Sequence, residues 1–191
     1  MQGMATNVVN DEKGHVPDDA TTTEVPMGRV LVLYYSWSNG NTERVARELA
    51  DACDADLERI ETAVPYSEDY DRTVDQGKRE VEAGFEPELQ PLGHDPADYD
   101  VIAVGTPTWW CTMAPAVRTL LRSREWNGKV VVPFSTCAGW EGTALDDMAG
   151  LAEGARVAEP LTVTFGSDGG DRMVTDPRKV ADWAGRVADL V

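Results

Sequence analysis

The sequence predicts an α/β fold in which a five-stranded parallel sheet is covered by helices on both faces. Short apolar runs rich in Val, Ile and Leu alternate with longer amphipathic stretches along most of the 191 residues. Strands buried on both faces have such continuous apolar runs, and the helices between them supply the crossovers that parallel strands need. Because these crossovers are right-handed, the topology is restricted to a doubly wound sheet.

The expected strands and helices follow one another in order along the chain. Strands are predicted at Arg29–Tyr35, Asp56–Glu61, Val101–Gly105, Lys129–Phe134 and Val157–Phe165. Helices are predicted at Thr42–Cys53, Ser67–Ala83, Met113–Ser123, Thr143–Ala152 and Pro177–Leu190. The last helix has the clearest pattern, because an Asp-Pro start precedes apolar residues spaced by three and four. The long connection of residues 62–96 is expected to be an excursion that carries one helix.

Residues 1–28 lack sustained apolar periodicity and are predicted to form an N-terminal tail, followed by one domain of residues 29–191. Met27 stands two residues before the first strand and is an alternative start. A chain that begins at Met27 is therefore expected to fold and to bind ligand like the full one.

The amino-acid composition limits the classes of partner that the protein is expected to bind and the compartment in which it is expected to lie. The net charge of −17 disfavours nucleic acid. An acidic face would attract a basic redox partner, although an acid-rich proteome explains most of the charge equally well. Cys53, Cys111 and Cys137 form no Cys-x-x-Cys motif, and two His residues are too few for a typical metal site. With no bilayer-length apolar run and no secretion signal, we expect a cytoplasmic protein that does not bind membranes.

The segment Ser36–Thr42 reads Ser-Trp-Ser-Asn-Gly-Asn-Thr and lies between the first strand and the first helix. A helix N-terminus carries unpaired N–H groups and a partial positive charge, so such a turn is an anion site, and the favoured anion is a phosphate monoester. The turn lacks the Gly-Lys-Ser/Thr ending of nucleotide-triphosphate loops and the Gly-x-Gly-x-x-Gly fingerprint. Ser, Asn and Thr are also common in ordinary polar turns that cap a helix. This segment alone therefore does not distinguish an anion site from such a turn.

Two further loops follow the third and fourth strands. Thr106–Met113 contains two adjacent tryptophans beside a proline, and Ser135–Gly142 contains a tryptophan beside small residues. Adjacent residues of an extended segment point in opposite directions, so one of Trp109 and Trp110 is expected to face the ligand. Small residues allow a flat ring to approach the backbone, and an aromatic side chain can stack on it. The alternative is that these tryptophans are core or interface aromatics.

Together the three loops describe a site for a phosphorylated planar ring, and here the sequence resembles the flavodoxin-like family, which binds FMN. The resemblance covers about residues 29–191. The turn Ser36–Thr42 is similar to the family's phosphate loop, Ser/Thr-x-Ser/Thr-Gly-Asn-Thr, with Asn39 as one extra residue. Asn tolerates a left-handed backbone and is expected to absorb this insertion. Thr106–Met113 resembles the corresponding loop of two groups of proteins. One is a flavodoxin-like group in which the loop contains Pro-x-Trp-Trp-Gly-Thr, and the other is the FMN-dependent quinone reductases. Cys111 stands where both groups usually have Gly.

The resemblance implies the strand order 2-1-3-4-5, FMN as cofactor, and no catalytic acid, base or nucleophile. The phosphate would be held by Ser36, Ser38, Asn39, Gly40, Asn41 and Thr42. The ring would lie between Thr106, Pro107, Thr108, Trp109 and Trp110 on one side and Thr136, Cys137, Ala138, Gly139 and Trp140 on the other.

Three functions remain open at this point. The first is an electron-transfer protein that docks on a redox partner. The second is an NAD(P)H-dependent reductase of quinone-like or azo compounds, either monomeric or a homodimer. The third is an interaction domain without flavin. Because residues 107–112 contain no Gly or Asn, the loop is expected to be stiff and to disfavour the one-electron-reduced flavin.

Overall fold

The computed structural model describes residues 28–191, and the tail predicted for residues 1–28 lies almost wholly outside the described residues. Within them the sheet contains seven strands: β1 (Val30–Tyr34), β2 (Asp56–Arg59), β3 (Val101–Trp109), β4 (Thr112–Met113), β5 (Val130–Cys137), β6 (Arg156–Val157) and β7 (Leu161–Thr164). The order is β2-β1-β3-β5-β6, all parallel, with β7 also parallel to β5 and β4 antiparallel to β3. Since β6 and β7 share the fifth position, the expected order 2-1-3-4-5 is confirmed.

Five α-helices of the described region cover the sheet: α1 (Asn41–Cys53), α2 (Tyr70–Ala83), α3 (Pro115–Arg122), α4 (Ala144–Leu151) and α5 (Pro177–Ala188). Side chains of β1 alternate between two buried clusters. Val30, Val32 and Tyr34 pack with α1 and α5, whereas Leu31 and Leu33, with Tyr35 directly after the strand, pack with α3 and α4. This alternation, with a strand period of two, produces the helix layer on each face.

The end of β3 differs from the sequence prediction. The strand was expected to end at Gly105, but it continues to Trp109 and turns back into β4. The third helix was expected from Met113 and begins instead at Pro115, since proline is favoured at the first helical position. Thr106 Oγ1 accepts a hydrogen bond from Ala114 N at 2.9 Å, which joins the two ends of the hairpin.

The predicted strand Val157–Phe165 is interrupted. Glu159 has a left-handed backbone with φ of 46°, and the next residue, Pro160, has no N–H to donate to a sheet. The indole Nε1 of Trp183 in α5 donates to the Glu159 carbonyl oxygen at 2.6 Å, which fixes the bend. The strand is therefore divided into β6 and β7. No helix within residues 28–191 is long and apolar enough to cross a membrane.

Candidate functional site

A cavity of about 300 Å³ lies beyond the carboxyl ends of β1, β3 and β5. In open α/β sheets this edge, at the point where strand order reverses, is where ligands bind. The structure brings segments of all three predicted loops to this cavity. Eleven of the sixteen predicted site residues line it: Ser38, Asn39, Asn41, Thr42, Pro107, Thr108, Trp109, Trp110, Thr136, Cys137 and Ala138.

The other five predicted residues lie next to this cavity or in a neighbouring one. Ser36 is buried, and its Oγ accepts from Glu43 N at 3.4 Å. Gly40 directly precedes α1, and Thr106 is fully buried. Gly139 and Trp140 line a second cavity of about 500 Å³, which shares Cys137 with the first, and the Trp140 side chain is 73% exposed.

The N-terminus of α1 opens on the main cavity. Gly40 occupies the N-cap position with φ of 73° and has no side chain with which to cap the helix. Within residues 28–191, the backbone N–H groups of Asn41 and Thr42 donate to no other residue. These unpaired amides and the helix dipole favour an anion at this position.

The extra residue of the first loop is accommodated differently from the expectation. The left-handed positions are Ser38, with φ of 65°, and Gly40, so Asn39 does not absorb the insertion through its own backbone. Its side chain instead donates from Nδ2 to the Gly169 carbonyl, and Asn41 Nδ2 donates to the Gly170 carbonyl at 3.1 Å. Both amide side chains therefore attach the loop to the turn that follows β7.

Two more hydrogen bonds hold the first loop. Thr42 Oγ1 lies 2.7 Å from Thr136 Oγ1, which links the first loop to the end of β5 inside the protein. Arg59 at the end of β2 donates from its guanidinium to the Ser36 carbonyl at 2.6 Å. The loop is thus held in place by hydrogen bonds to neighbouring segments of the protein.

An aromatic cluster forms one wall of the cavity. The Trp109 ring makes edge contacts with Tyr66 at 5.1 Å, Tyr35 at 5.9 Å and Trp37 at 6.2 Å between centroids. Burial raises the pKa of Tyr35, and burial followed by the hydrogen bond to Glu80 raises the pKa of Tyr66. Both phenols are therefore neutral at physiological pH, and the wall carries no charge.

The two tryptophans of the second loop both line the cavity, whereas only one was expected to face it. Trp109 is half-buried and Trp110 is 47% exposed at the rim. A Cβ placed on Gly77 would lie 3.0 Å from the Trp109 ring, so α2 approaches this ring closely.

Six lining residues were not predicted from the sequence: Trp37, Tyr70, Thr73, Val74, Gly77 and Gly169. Four of them lie on α2 at positions 70, 73, 74 and 77, the spacing of a single helix face. That spacing was a usable signal for a shared face. The Gly169-Gly170 pair after the last strand was a second one, since adjacent glycines mark a turn that a ligand can approach.

The chemistry of the lining is uniform. All seventeen lining residues are uncharged, and hydroxyl, amide and aromatic side chains predominate among them. No cluster of three or more His, Cys, Asp or Glu suited to a metal ion exists in the described part of the chain. The volume is at the lower end of the range for ligand pockets. These residues fit a neutral planar ring whose phosphate lies at the α1 N-terminus.

Comparisons with known proteins agree with this geometry. Residues 29–149 match the model of the protein family described as Flavodoxin. No curated protein sequence matches the chain. A candidate flavoprotein from Bacteroides eggerthii DSM 20697 is 24% identical with a TM-score of 0.68, and the alignment covers 85% of this chain and 99% of that one.

Two further solved structures are similar. A flavoprotein from Lactobacillus acidophilus NCFM, solved in complex with FMN, is 24% identical with a TM-score of 0.63, over 83% of this chain and 99% of that one. Oxidised flavodoxin 1 from Bacillus cereus is 18% identical with a TM-score of 0.56, over 86% and 99%. At these identities the structures establish the shared fold, and the family model covers more than half of the sequence. The chain belongs to the flavodoxin family.

Proposed function

We propose that this protein binds FMN non-covalently and takes part in electron transfer. The observation that carries the proposal is that the unpaired amides of Asn41 and Thr42 open on the same cavity as the Trp109 wall. One end of the cavity suits a phosphate and the other suits a flat ring. The similar flavoprotein from Lactobacillus acidophilus was solved with FMN, which supports the choice of flavin.

The residues divide by role. Ser36, Ser38, Asn39, Gly40, Asn41 and Thr42 would surround the phosphate, and residues 106–110 and 136–140 would lie on the two sides of the ring. When bound, the flavin supplies the redox chemistry, and the protein binds it, orients it and limits its contact with water. We assign no general acid, base or nucleophile, because the cavity lining contains no side chain that is charged at neutral pH.

The neutral lining also indicates how the phosphate is bound. No Lys or Arg lines the cavity, so the phosphate would be held by backbone amides and hydroxyls. Arg59, which lies beside the first loop, already donates to the Ser36 carbonyl and lies 3.6 Å from the Glu43 carboxylate. Its contribution is then to shape the loop.

The second candidate is an FMN-dependent NAD(P)H reductase of quinone-like or azo compounds. It is favoured by the turn at Trp110 and Cys111, where neither residue is Gly although both have positive φ. A stiff turn disfavours the backbone change by which many members of the family stabilise the one-electron-reduced flavin. The partner would then be a small oxidant in place of a redox protein.

The proposal also covers the compartment, the oligomeric state and the partners of the protein. We propose a cytoplasmic protein, monomeric or a homodimer, that does not act on nucleic acid or at membranes. The support is its acidic composition and three free cysteines, Cys53, Cys111 and Cys137. An interaction domain without flavin is the third candidate, and only the extra Asn39 and the Cys111 replacement favour it.

An absorption spectrum of the purified protein, followed by addition of an electron donor, tests which cofactor is bound and whether the protein is a reductase or an electron carrier. Flavin bands, with heat-released cofactor that migrates as FMN, would support binding, and FAD or no flavin after reconstitution would contradict it. Rapid bleaching on addition of NADH or NADPH with a quinone as acceptor would favour the reductase. Reduction only by an added redox partner protein would favour the carrier.

A further inference from the structure

The turn that joins β3 to β4 has an unusual backbone. Trp109 pairs with Thr112, so Trp110 and Cys111 are the two central residues of a tight hairpin, with φ of 49° and 69°. Two-residue hairpins of this kind require positive φ at both positions and usually contain Asn or Gly. A bulky residue and a cysteine in this conformation are disfavoured, so surrounding contacts must hold them there.

The first set of contacts comes from the residues before α4. The Cys111 carbonyl oxygen accepts from Thr143 N at 2.7 Å and from Thr143 Oγ1 at 3.3 Å. Thr143 Oγ1 also lies 2.7 Å from Asp147 Oδ2, which accepts from Thr112 Oγ1 as well. The outer side of the hairpin is therefore attached to α4 through one shared carboxylate.

Gly142 makes this attachment possible. Its φ is 61°, and a Cβ at this position would lie 2.0 Å from the Cys111 carbonyl oxygen. That separation is far below van der Waals contact, so any side chain would force the two segments apart. Neither Cys111 nor Gly142 nor Thr143 lines the main cavity.

The second set of contacts comes from α2. The Trp110 indole Nε1 donates to the Val74 carbonyl at 3.1 Å, and Lys78 Nζ lies 5.3 Å from the centre of the Trp110 ring. An ammonium group at this distance from an indole is attracted by the ring face. The tip of the hairpin is thus held from two sides.

We propose that Gly142 and Thr143 are positioning residues that hold the Cys111 carbonyl away from the ligand cavity and fix the Trp110–Cys111 turn in one backbone conformation. The inference extends the proposed function, since this turn borders the cavity assigned to FMN. A carbonyl bonded to the Thr143 N–H is not available to a ligand. The second and third site loops are then coupled through this carbonyl.

Gly142→Ala tests the proposal, with Gly128→Ala as its matched control. Gly128 has φ of 75°, and a Cβ placed on it would have no heavy atom within 4 Å, so it shares the backbone strain without the contact. In the flavin-free protein, the Thr143 amide of Gly142→Ala should exchange its hydrogen at least about tenfold faster than that of Gly128→Ala. Equal exchange in the two variants would overturn the proposal.

The exchange measurement does not depend on flavin, so it distinguishes this inference from the proposed function. If the unsubstituted protein binds no FMN but Gly142→Ala still accelerates Thr143 exchange, the proposed function fails and the attachment stands. If FMN binds, its Kd should rise by about tenfold or more in Gly142→Ala relative to Gly128→Ala. An unchanged Kd would show that the turn is not coupled to the site.

Thr143→Val and Thr143→Ser provide a second test that leaves the backbone contact at Gly142 intact. Thr143→Val removes the hydroxyl, which lies 2.7 Å from Asp147 Oδ2 and 3.3 Å from the Cys111 carbonyl oxygen, and Thr143→Ser retains it. We expect Thr143→Val to increase the fraction of one-electron-reduced FMN at half reduction by dithionite, and Thr143→Ser to restore the original fraction. Identical fractions in all three proteins would contradict a positioning role for the Thr143 hydroxyl.

Discussion

The amino ends of the strands, here called the amino edge of the sheet, differ in charge from the cavity beyond their carboxyl ends, the carboxyl edge. At the amino edge, Arg29, Asp56, Glu58, His94 and Tyr99 form a charged network whose polar atoms bond to one another. At the carboxyl edge, the cavity lining is uncharged, and the amides at the start of α1 have no acceptor among residues 28–191. At the amino edge, charged side chains stabilise the structure by bonding to one another. At the carboxyl edge, backbone amides without an acceptor mark the candidate site.

At the amino edge, the ionisable side chains are hydrogen-bonded to one another, and these bonds shift their pKa values. Tyr99 Oη donates to Asp56 Oδ2 at 2.6 Å, and this bond, with that from Arg29, holds the Asp56 pKa below its usual value. Burial alone would raise the Glu58 pKa, but hydrogen bonds from Gly93 N and from His94 lower it below the usual value. Burial, with Asp56 nearby, raises the Tyr99 pKa to about 12. The hydrogen-bond donors and acceptors of this network are therefore paired with one another.

The largest effect is expected from Trp109→Ala at the carboxyl edge. The ring packs on three aromatic side chains and on α2, and its removal eliminates these contacts. Because the ring is half-buried, we expect the free energy of unfolding to fall by about 3 kcal/mol, the lower end of the range for Trp→Ala, together with loss of FMN affinity. Denaturant unfolding and flavin fluorescence titration measure the two quantities.

Trp140→Ala is the matched control, because its ring is 73% exposed and lines only the second cavity. Its free energy of unfolding should change by less than about 0.5 kcal/mol. A loss of stability as large as that of Trp109→Ala would mean that the aromatic wall has been wrongly located.

Thr42→Ala is expected to have the next largest effect, on FMN affinity. Thr42 lies in the first turn of α1, and its hydroxyl lies 2.7 Å from that of Thr136. Loss of a hydrogen bond to a charged group costs roughly 1–3 kcal/mol, so FMN should bind more weakly by that amount. Thr42→Ser retains the hydroxyl and should bind within about threefold of the unsubstituted protein. Equal affinity of Thr42→Ala would show that the loop has been misinterpreted.

Cys111→Gly is expected to have a smaller effect, on the reduction of bound flavin. Cys111 has φ of 69°. Gly adopts positive and negative φ about equally readily, so Cys111→Gly should let this turn change its backbone conformation more easily. During stepwise anaerobic reduction with dithionite, the unsubstituted protein should accumulate little one-electron-reduced flavin, and Cys111→Gly should accumulate more. A strong long-wavelength band at half reduction of the unsubstituted protein would instead restore the electron carrier as the better hypothesis.

Asp56→Asn at the amino edge should have the smallest effect. Since the Asp56 pKa is lowered in the folded state, the ionised carboxylate stabilises the fold above its usual pKa of 3.8, and this contribution disappears as the pH falls through the folded value. Asp56→Asn should therefore unfold with less dependence on pH below about 4, and FMN affinity should not change. A fall in FMN affinity would show that the two edges are coupled.

Much of the fold was predictable because strand and helix periods are local. The apolar runs and the Asp176-Pro177 start identified all five α-helices of residues 28–191 and the five parallel positions of the sheet, but not the short antiparallel strand β4. The errors lie where backbone conformation depends on distant contacts. Glu159 is held in its left-handed conformation by α5, and the β3–β4 hairpin is held by Thr143, so neither was visible in the local sequence.

The site was partly predictable for a similar reason. Residues that follow strands must meet at one edge of a parallel sheet, and three loops were placed there from the sequence. The α2 wall was missed because its position depends on the close approach of Gly77 to the Trp109 ring. Such a contact joins residues 32 positions apart, and no periodic pattern indicates it.

Phosphate binding at the α1 N-terminus underlies the whole functional assignment, and a comparison of FMN with riboflavin tests it most directly. The two ligands share the ring and differ by the phosphate, so titration of the flavin-free protein isolates the contribution of the phosphate contacts, among them the Asn41 and Thr42 amides. We expect FMN to bind at least about tenfold more tightly than riboflavin, as for a hydrogen-bonded charged group. Equal affinities, or no binding of either ligand, would contradict phosphate binding at this helix.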